Sequence, residues 1–281
     1  MPPVAIACAI LAPLIWGAQL VVIKIGLAAF PPLFFVSLRF AILSAILLPF
    51  VPRPRRDQVW PVILISIFMG GLNFSLIFMG LGQGQASLAG VAIQLATPFT
   101  VLLAWPLLGE RPPLRVLLGV AIAFGGVALA TVDPGAQVAL LPTLMFVGAA
   151  FGLAMGGVLT KRYGPFDPFM LVAWMSTLAL PQIFVMSLAM ETGQIDALRS
   201  APGSAWLALA YTVLLGGIAG FGLWFWLIGR YSMARVAPYG LLQTAFAVIT
   251  ATLFLDEPLT VTLVGGMFLC IAGVAITQRR T

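Results

Sequence analysis

Two basic residues lie within long apolar stretches of the sequence, where a charge is costly. Lys24 lies near the end of the first stretch, and Arg39 follows Pro32, near the start of the second, by seven residues. Placing Lys or Arg at the centre of a bilayer costs about 2.5–3.5 kcal/mol on insertion scales. No Asp or Glu lies deep in any apolar stretch to neutralise them. The two cations therefore predict a ligand with a carboxylate, bound through charge-assisted hydrogen bonds.

Structural roles stay open for both cations. Lys24 can extend its ammonium to the membrane interface while its aliphatic chain remains in the hydrocarbon. Arg39 can instead pair with Asp256 or Glu257, or donate to carbonyl groups at a helix end.

Four uncharged polar residues in the apolar stretches are further candidates for a binding site: Asn73, Gln94, Tyr239 and Gln243. An amide in hydrocarbon needs hydrogen-bond partners, so these residues should face the protein interior rather than lipid. Tyr239 and Gln243 are four residues apart and share one face of a helix. Together they can hold the amino or carboxyl group of a substrate, with hydrogen bonds to neighbouring helices as the alternative.

Residue types that catalysis and metal binding require are missing or scarce. The chain has no His and only two Cys, Cys8 and Cys270, both in apolar stretches. We therefore expect packed thiols, no metal, no cofactor and no catalytic residue, so the chain is not expected to be an enzyme. No P-loop pattern occurs, so ATP is not the expected energy source. The missing buried acid also argues against export of lipophilic cations through a carboxylate shared with a proton.

Membrane-spanning helices must position these residues. The chain is 62% hydrophobic and only 8% charged, so most of its exterior must face lipid. A spanning helix needs about 20 apolar residues, which predicts an all-α integral membrane protein. The first stretch has no basic region before it and no suitable cleavage site, and is taken as a retained helix. Ten stretches qualify as helices 1 to 10: 4–28, 32–51, 60–82, 86–108, 114–132, 139–160, 168–190, 204–229, 235–255 and 258–277.

The basic residues between these helices predict the orientation of the chain. Eleven of the 14 Lys and Arg residues fall on the side that holds both termini, and Arg199 alone falls on the other. Basic loops stay in the cytoplasm, so both termini are predicted to be cytoplasmic. The net charge of +6 thus reflects topology, and no nucleic-acid partner is expected. The eleven are Arg53, Arg55, Arg56, Arg111, Arg115, Lys161, Arg162, Arg230, Arg235, Arg279 and Arg280.

Two linked sequence matches about 145 residues apart indicate a duplication. Each half holds five helices, in residues 1–134 and 135–281. Because five is odd, Glu110 and its counterpart Glu257 fall on opposite sides, so the repeats are inverted, as in many secondary transporters. Each Glu is expected to complement the dipole of the helix that follows it, with gating contacts at the two mouths as the alternative. The matches pair 86–92 with 231–237, and Glu110, Gly119 and Gly126 with Glu257, Gly266 and Gly273.

Small residues predict close packing and irregular backbone. Helix 6 carries glycines at four-residue spacing, as does helix 8, and such ridges let two helices approach closely. Pro98 is expected to bend helix 4. The glycines are Gly148, Gly152 and Gly156 on helix 6, Gly216 and Gly220 on helix 8, and Gly70-Gly71, which occupies on helix 3 the repeat position of Gly216-Gly217.

Several short motifs form a set with characteristic spacing. In the first half they are Trp16-Gly17, Val21-Val-Ile-Lys-Ile-Gly-Leu27, Pro31-Pro-Leu33 with Leu38-Arg-Phe40, and Gly109-Glu-Arg111. In the second half they are Gly229-Arg-Tyr231 with Arg235-Val-Ala-Pro238, and Leu255-Asp-Glu-Pro-Leu-Thr260. Over nearly the whole chain, this set resembles the EamA branch of the drug/metabolite transporter superfamily. Helices 1, 2, 8 and 9 look most like members that export cysteine and O-acetylserine, and relatives export aromatic or mixed amino acids.

The resemblance implies a secondary transporter that exports amino acids and related metabolites across the bacterial inner membrane by alternating access. It also implies a central cavity lined by helices 1, 3, 4, 6, 8 and 9, where Trp16 and Trp224 lie mid-helix and can stack on a substrate. A multidrug exporter of neutral or cationic compounds is the alternative. The sequence leaves monomer and homodimer open. The predicted substrate-binding residues are Lys24, Arg39, Asn73, Gln94, Trp16, Trp224, Tyr239 and Gln243.

Overall fold

The computed structural model describes residues 1–132 and 140–278, and in these ranges the chain folds into ten long apolar helices. Each is long and apolar enough to cross a bilayer, which confirms the predicted all-α membrane fold. The predicted boundary between the repeats, near residue 134, and Arg279 and Arg280 lie outside the described residues. Helices 1 to 10 are Pro3–Leu27, Pro32–Phe50, Arg56–Gln83, Ala86–Leu108, Leu114–Thr131, Leu140–Tyr163, Pro168–Met190, Gly203–Arg230, Met233–Gly240 continued by Leu242–Leu255, and Val261–Gln278.

Successive helices run in opposite directions, so the bundle has two faces. Helices 1 and 9 end at one of them, where Lys24 at the end of helix 1 pairs with Glu257. We call this the Glu257 face. Helices 4 and 6 end at the other, the Glu110 face, where Lys161 pairs with Glu110. The two equivalent glutamates thus lie at opposite ends of the bundle, as an inverted five-helix repeat requires.

Helices 3 and 8 carry matched π-helical segments. Ser66–Leu72 forms this wider turn in helix 3, and Thr212–Ala219 forms it in helix 8. The first residue of each segment donates its hydroxyl to the carbonyl oxygen three residues earlier, at 2.7 Å for Ser66 and 2.8 Å for Thr212. A π-helical turn shifts the backbone hydrogen bonds by one residue and is frequent at functional sites. Both segments lie in helices that are expected to line the cavity.

Helices 4 and 9 are interrupted at equivalent positions. In helix 4 a 3₁₀ turn at Ile93–Leu95 separates two α-helical parts. The interruption agrees with Pro98, which has no N–H to donate to the carbonyl of residue 94, and a bend of the helix axis there stays a prediction. Helix 9 begins as Met233–Gly240 and resumes as Leu242–Leu255. Discontinuous helices near the middle of the membrane are where secondary transporters place their substrate sites.

The glycine ridges pack as the sequence predicts. A β-carbon on Gly152 of helix 6 would lie 2.7 Å from the carbonyl oxygen of Phe68 in helix 3. A β-carbon on Gly220 of helix 8 would lie 2.7 Å from Nε1 of Trp16 in helix 1. Both distances are far below normal contact, so only glycine permits these approaches.

Helices 5 and 10, the last of each repeat, meet backbone to backbone. A β-carbon on Gly119 would lie 2.8 Å from the carbonyl oxygen of Gly273, and one on Gly266 would lie 2.6 Å from the amide nitrogen of Ala130. The glycines of the duplicated motif therefore join the two repeats at their ends.

The loop after helix 7 caps the start of helix 2. The Glu191 carboxylate accepts from the backbone N–H groups of Leu33 at 2.7 Å and Phe34 at 3.0 Å, and from the hydroxyl of Ser187 at 2.7 Å. A carboxylate at a helix N-terminus satisfies donors that have no partner within the helix and complements the helix dipole.

We expect Glu191→Gln to destabilise the protein by about 1–2 kcal/mol. Glutamine has no charge and only one accepting oxygen, so one of the two backbone N–H groups at the start of helix 2 loses its acceptor and the other keeps a weaker, uncharged hydrogen bond. The apparent melting temperature, followed by size-exclusion chromatography of heated detergent samples, measures the effect. Asp196→Asn is the matched control, since Asp196 is an exposed acid in the short helix Gln194–Ser200 that follows Glu191. Equal melting temperatures for the two variants would contradict the capping role.

Candidate functional site

Arg39 is buried between helices 2, 3 and 8. Its side chain is 2% exposed, and its Nε donates to the carbonyl oxygen of Thr212 at 3.2 Å. The guanidinium lies over the Phe74 ring, 4.4 Å from the ring centre. Within the described residues no acid pairs with it, and Nη1 has no hydrogen-bond partner. Of the structural alternatives, bonding to a carbonyl is present, but it leaves the charge unbalanced and a donor free.

The π segment of helix 8 gathers polar groups from helices 1 and 2. Trp16 donates its Nε1 hydrogen to the carbonyl oxygen of Gly216 at 3.1 Å. The amide oxygen of Gln19 packs directly against Gly216, where any β-carbon would clash with it, and has no hydrogen-bond partner among the described residues. Gln19 was not among the predicted site residues. The sequence did carry a signal for it, namely a polar amide within an apolar helix. In the fold this side chain is 9% exposed.

The equivalent π segment of helix 3 meets an apolar side chain instead of a cation. Met175 follows Pro168, the first residue of helix 7, by seven residues, just as Arg39 follows Pro32 in helix 2. Its side chain packs against Gly70 in the π segment of helix 3. The two repeats thus share a backbone feature, but only the first supplies a guanidinium to it.

Four predicted residues come together where helices 1, 8 and 9 meet. The rings of Trp16 and Trp224 have centres 5.7 Å apart, and Tyr239 packs in the same apolar cluster as Trp224. The backbone carbonyl of Gln243 lies against Gly17, next to Trp16. Trp16, Trp224, Tyr239 and Gln243 are all half-buried. Indole and phenol rings offer stacking surfaces and hydrogen bonds to a small polar molecule.

Gln94 lies in the 3₁₀ turn that interrupts helix 4. Its Nε2 is buried and has no partner in the part of the chain that the structure describes. In the repeat alignment its counterpart is Tyr239, which lies next to the interruption of helix 9. Gln94 therefore offers an unused donor at one interrupted helix, and the equivalent position in the other repeat is a tyrosine.

Asn73 has a different environment from the other polar candidates. It is buried, and its Nδ2 donates to the carbonyl oxygen of Ala149 in helix 6 at 2.8 Å. This bond joins helices 3 and 6, which is the packing role that the sequence left as the alternative. The structure does not bring Asn73 together with the cluster around Trp16.

Lys24 lies at the Glu257 face, away from the cluster. Its ammonium donates to the carbonyl oxygen of Gly84 at 2.8 Å and to Glu257 at 3.3 Å. The expectation that no acid neutralises Lys24 is therefore wrong, because the loop between helices 9 and 10 folds back over helix 1. Glu257 is 7% exposed and also bonds to the start of helix 4 rather than helix 10.

The two faces of the bundle differ in closure. At the Glu257 face every residue of Ala86–Ala92, the start of helix 4, is buried. At the Glu110 face the equivalent start of helix 9 exposes Ser232 and Arg235, although Val236 is buried. The start of helix 4 is thus fully packed at the Glu257 face, whereas the start of helix 9 is partly exposed at the Glu110 face.

Comparisons with known proteins agree with this architecture. Proteins from Escherichia coli and Salmonella typhimurium, each named a probable amino-acid metabolite efflux pump, are 32% and 30% identical to the chain. The alignments cover 90% and 95% of this chain and 87% and 92% of the relatives. A probable terminal-alkyne amino-acid exporter from Streptantibioticus cattleyicolor is 29% identical over 82% of this chain and 77% of its own length.

A crystal structure supports the same fold. It aligns with a TM-score of 0.61 at 22% identity, over 98% of this chain and 96% of its own. The EamA-like transporter family matches residues 3–132 and again residues 140–279. With both matches together covering almost the whole sequence, the chain belongs to the EamA-like transporter family and is a membrane transporter rather than an enzyme.

Proposed function

We propose that this transporter exports amino acids and related metabolites across the bacterial inner membrane by alternating access. The names of the similar proteins from Escherichia coli, Salmonella typhimurium and Streptantibioticus cattleyicolor support this substrate class. The observation that carries the proposal is the unbalanced charge of Arg39. A buried cation without an acid partner is stabilised when an anionic ligand binds, and a free amino acid brings a carboxylate.

The substrate site lies between Arg39 and the cluster of Trp16, Trp224, Tyr239 and Gln243. Arg39 and Trp16 both donate to the π segment of helix 8, so that segment links the two groups. In this arrangement Arg39 binds the carboxylate, the aromatic rings contact the side chain, and the free amide of Gln94 adds a donor. Asn73 holds helices 3 and 6 together, and Lys24 acts at the Glu257 face.

The difference between the two faces supports alternating access. A transporter of this kind exposes its central site to one side at a time by rocking its halves, with the division near residue 134. The positive-inside bias supports an orientation in which both termini and the Glu110 face are cytoplasmic. In that orientation the packed start of helix 4 lies at the outer face and the partly exposed start of helix 9 at the cytoplasmic face, as expected of a state that accepts its substrate from the cytoplasm.

A flux assay with the purified protein in liposomes tests the substrate class. We expect labelled free amino acids to cross, whereas the corresponding amino-acid amides, which lack the carboxylate, do not. Protein-free liposomes supply the background rate. Transport of neutral or cationic drugs without transport of any amino acid would establish the multidrug alternative. Equal rates for amino acids and their amides would eliminate the carboxylate anchor but not the export of amino-acid metabolites.

A further inference from the structure

Two ion pairs occupy equivalent positions at opposite faces of the bundle. Lys24 and Lys161 lie near the ends of helices 1 and 6, the first helices of the two repeats. Their partners, Glu257 and Glu110, follow helices 9 and 4, the fourth helices of the repeats. The N–O distances are 3.3 Å for Lys24 with Glu257 and 2.6 Å for Lys161 with Glu110.

At the Glu257 face, the carboxylate also holds the start of helix 4. Glu257 accepts from the backbone N–H of Ala86 at 2.8 Å, and from the N–H and hydroxyl of Ser87 at 2.9 and 2.6 Å. We call the set of Lys24, Ala86, Ser87 and Glu257 the Glu257 latch. It joins helix 1, helix 4 and the loop after helix 9. Its carboxylate is 7% exposed and the Lys24 side chain 27% exposed, so water screens the bonds of the carboxylate poorly.

At the Glu110 face, only the ion pair of the equivalent set is formed among the residues that the structure describes. The side chains of Glu110 and Lys161 are 54% and 62% exposed. The counterpart of Ser87 in the repeat is Ser232, which precedes the first turn of helix 9. Ser232 is exposed and its side chain makes no capping hydrogen bond. Glu110, Lys161 and Ser232 could therefore form a second latch, but in this structure the Ser232 side chain makes no hydrogen bond to Glu110.

We propose that Glu110 caps the start of helix 9 at Ser232 when the Glu110 face closes, forming a second latch while the Glu257 latch releases. The inference rests on the alternating access proposed above. Inverted symmetry supports it, because the closed Glu110 face should repeat the contacts of the closed Glu257 face. The two latches then oppose each other. The Glu257 latch stabilises the state described here, and the Glu110 latch stabilises the opposite one.

Labelling of a single buried cysteine measures the balance between the two states. In a Cys8→Ala/Cys270→Ala background, Ala89→Cys introduces a thiol at a position that is 0% exposed beside the Glu257 latch. A water-soluble maleimide, applied to the protein in nanodiscs without substrate, reaches this thiol only when the Glu257 face opens. Nanodiscs leave both faces accessible, so the result does not depend on orientation in the membrane.

We expect Glu257→Gln to raise the labelling rate about tenfold, as the loss of one to two charge-assisted hydrogen bonds predicts. Adding Glu110→Gln to this variant should bring the rate back down, because the opposite state then loses its own latch. Adding Ser232→Ala to Glu257→Gln should also lower the labelling rate. Glu110→Gln and Ser232→Ala together should lower it little more than either does alone, since both remove the same hydrogen bond between Glu110 and Ser232.

Asp57→Asn is the matched control, because Asp57 forms an exposed ion pair with Arg55 at the same face as Glu110. It should leave the labelling rate unchanged. The second latch is disproved if Glu110→Gln behaves like this control, or if it raises labelling further. Because no substrate is present, a protein that fails to move amino acids can still show both latches, and one that moves them can lack the second.

Discussion

Arg39→Met is expected to lower amino-acid flux about ten- to a hundredfold, the loss that about 1.5–3 kcal/mol of charge-assisted bonding to a carboxylate predicts. Methionine is the choice that the protein itself suggests, since Met175 fills the equivalent place in the second repeat. We also expect the variant to be at least as stable as the wild type. Removing a buried charge that has no acid partner eliminates a desolvation cost.

Lower flux together with unchanged or higher stability would distinguish a role of Arg39 in substrate binding from a role in holding the fold. Liposome flux and the apparent melting temperature are measured on the same preparations, and Arg39→Lys, which keeps the charge but loses the planar fork, should give intermediate flux. If Arg39→Met transports normally, Arg39 does not bind the substrate. If both flux and stability fall, the main role of Arg39 is to hold the π segment of helix 8 through the carbonyl of Thr212.

Gly126→Leu is expected to have the largest effect on stability, above the 1–3 kcal/mol typical of an overpacked core. A β-carbon at this position would lie 2.7 Å from the carbonyl oxygen of Gly266, so helices 5 and 10 must separate to admit a side chain. Because the neighbour that clashes is backbone, no change of rotamer can relieve it. We expect a large fall in the apparent melting temperature and in the yield of folded protein.

Gly125→Leu is the matched control for this substitution. The two glycines are adjacent, yet nothing lies within 4 Å of a β-carbon on Gly125, which is exposed. Leucine at this site should be tolerated or slightly stabilising, because it favours helix over glycine by up to about 1 kcal/mol. A similar loss of stability in both variants would show that the contact between helices 5 and 10 does not govern stability.

The sequence predicted the ten helices well because bilayer thickness sets their length. The predicted limits of helix 4, 86–108, agree with Ala86–Leu108, since polar or proline-rich segments flank it. Helix 3 begins at Arg56 rather than near residue 60, because its first turn is helical although polar. The π segments had no comparable signal. Glycine pairs occur in both, but such pairs are common in helices that merely pack closely.

The candidate site was less predictable because its contacts join distant parts of the chain. Trp16, Trp224, Tyr239 and Gln243 were chosen for their residue types, and the fold brings them together. Glu257 was assigned to helix 10 on the basis of proximity in sequence, whereas its carboxylate reaches helices 1 and 4. Pairings of this kind depend on how loops fold over one another, which hydrophobic periodicity does not encode.

The Glu257 latch has a consequence for the order in which the chain is synthesised. Lys24 enters the membrane with the first helix, but Glu257 is translated 233 residues later. Throughout that interval the ammonium of Lys24 must stay hydrated. Lys24 lies three residues before the end of helix 1, so its side chain can reach the lipid headgroups. Closure of the Glu257 face is therefore a late event in assembly, completed only when the ninth helix has been inserted.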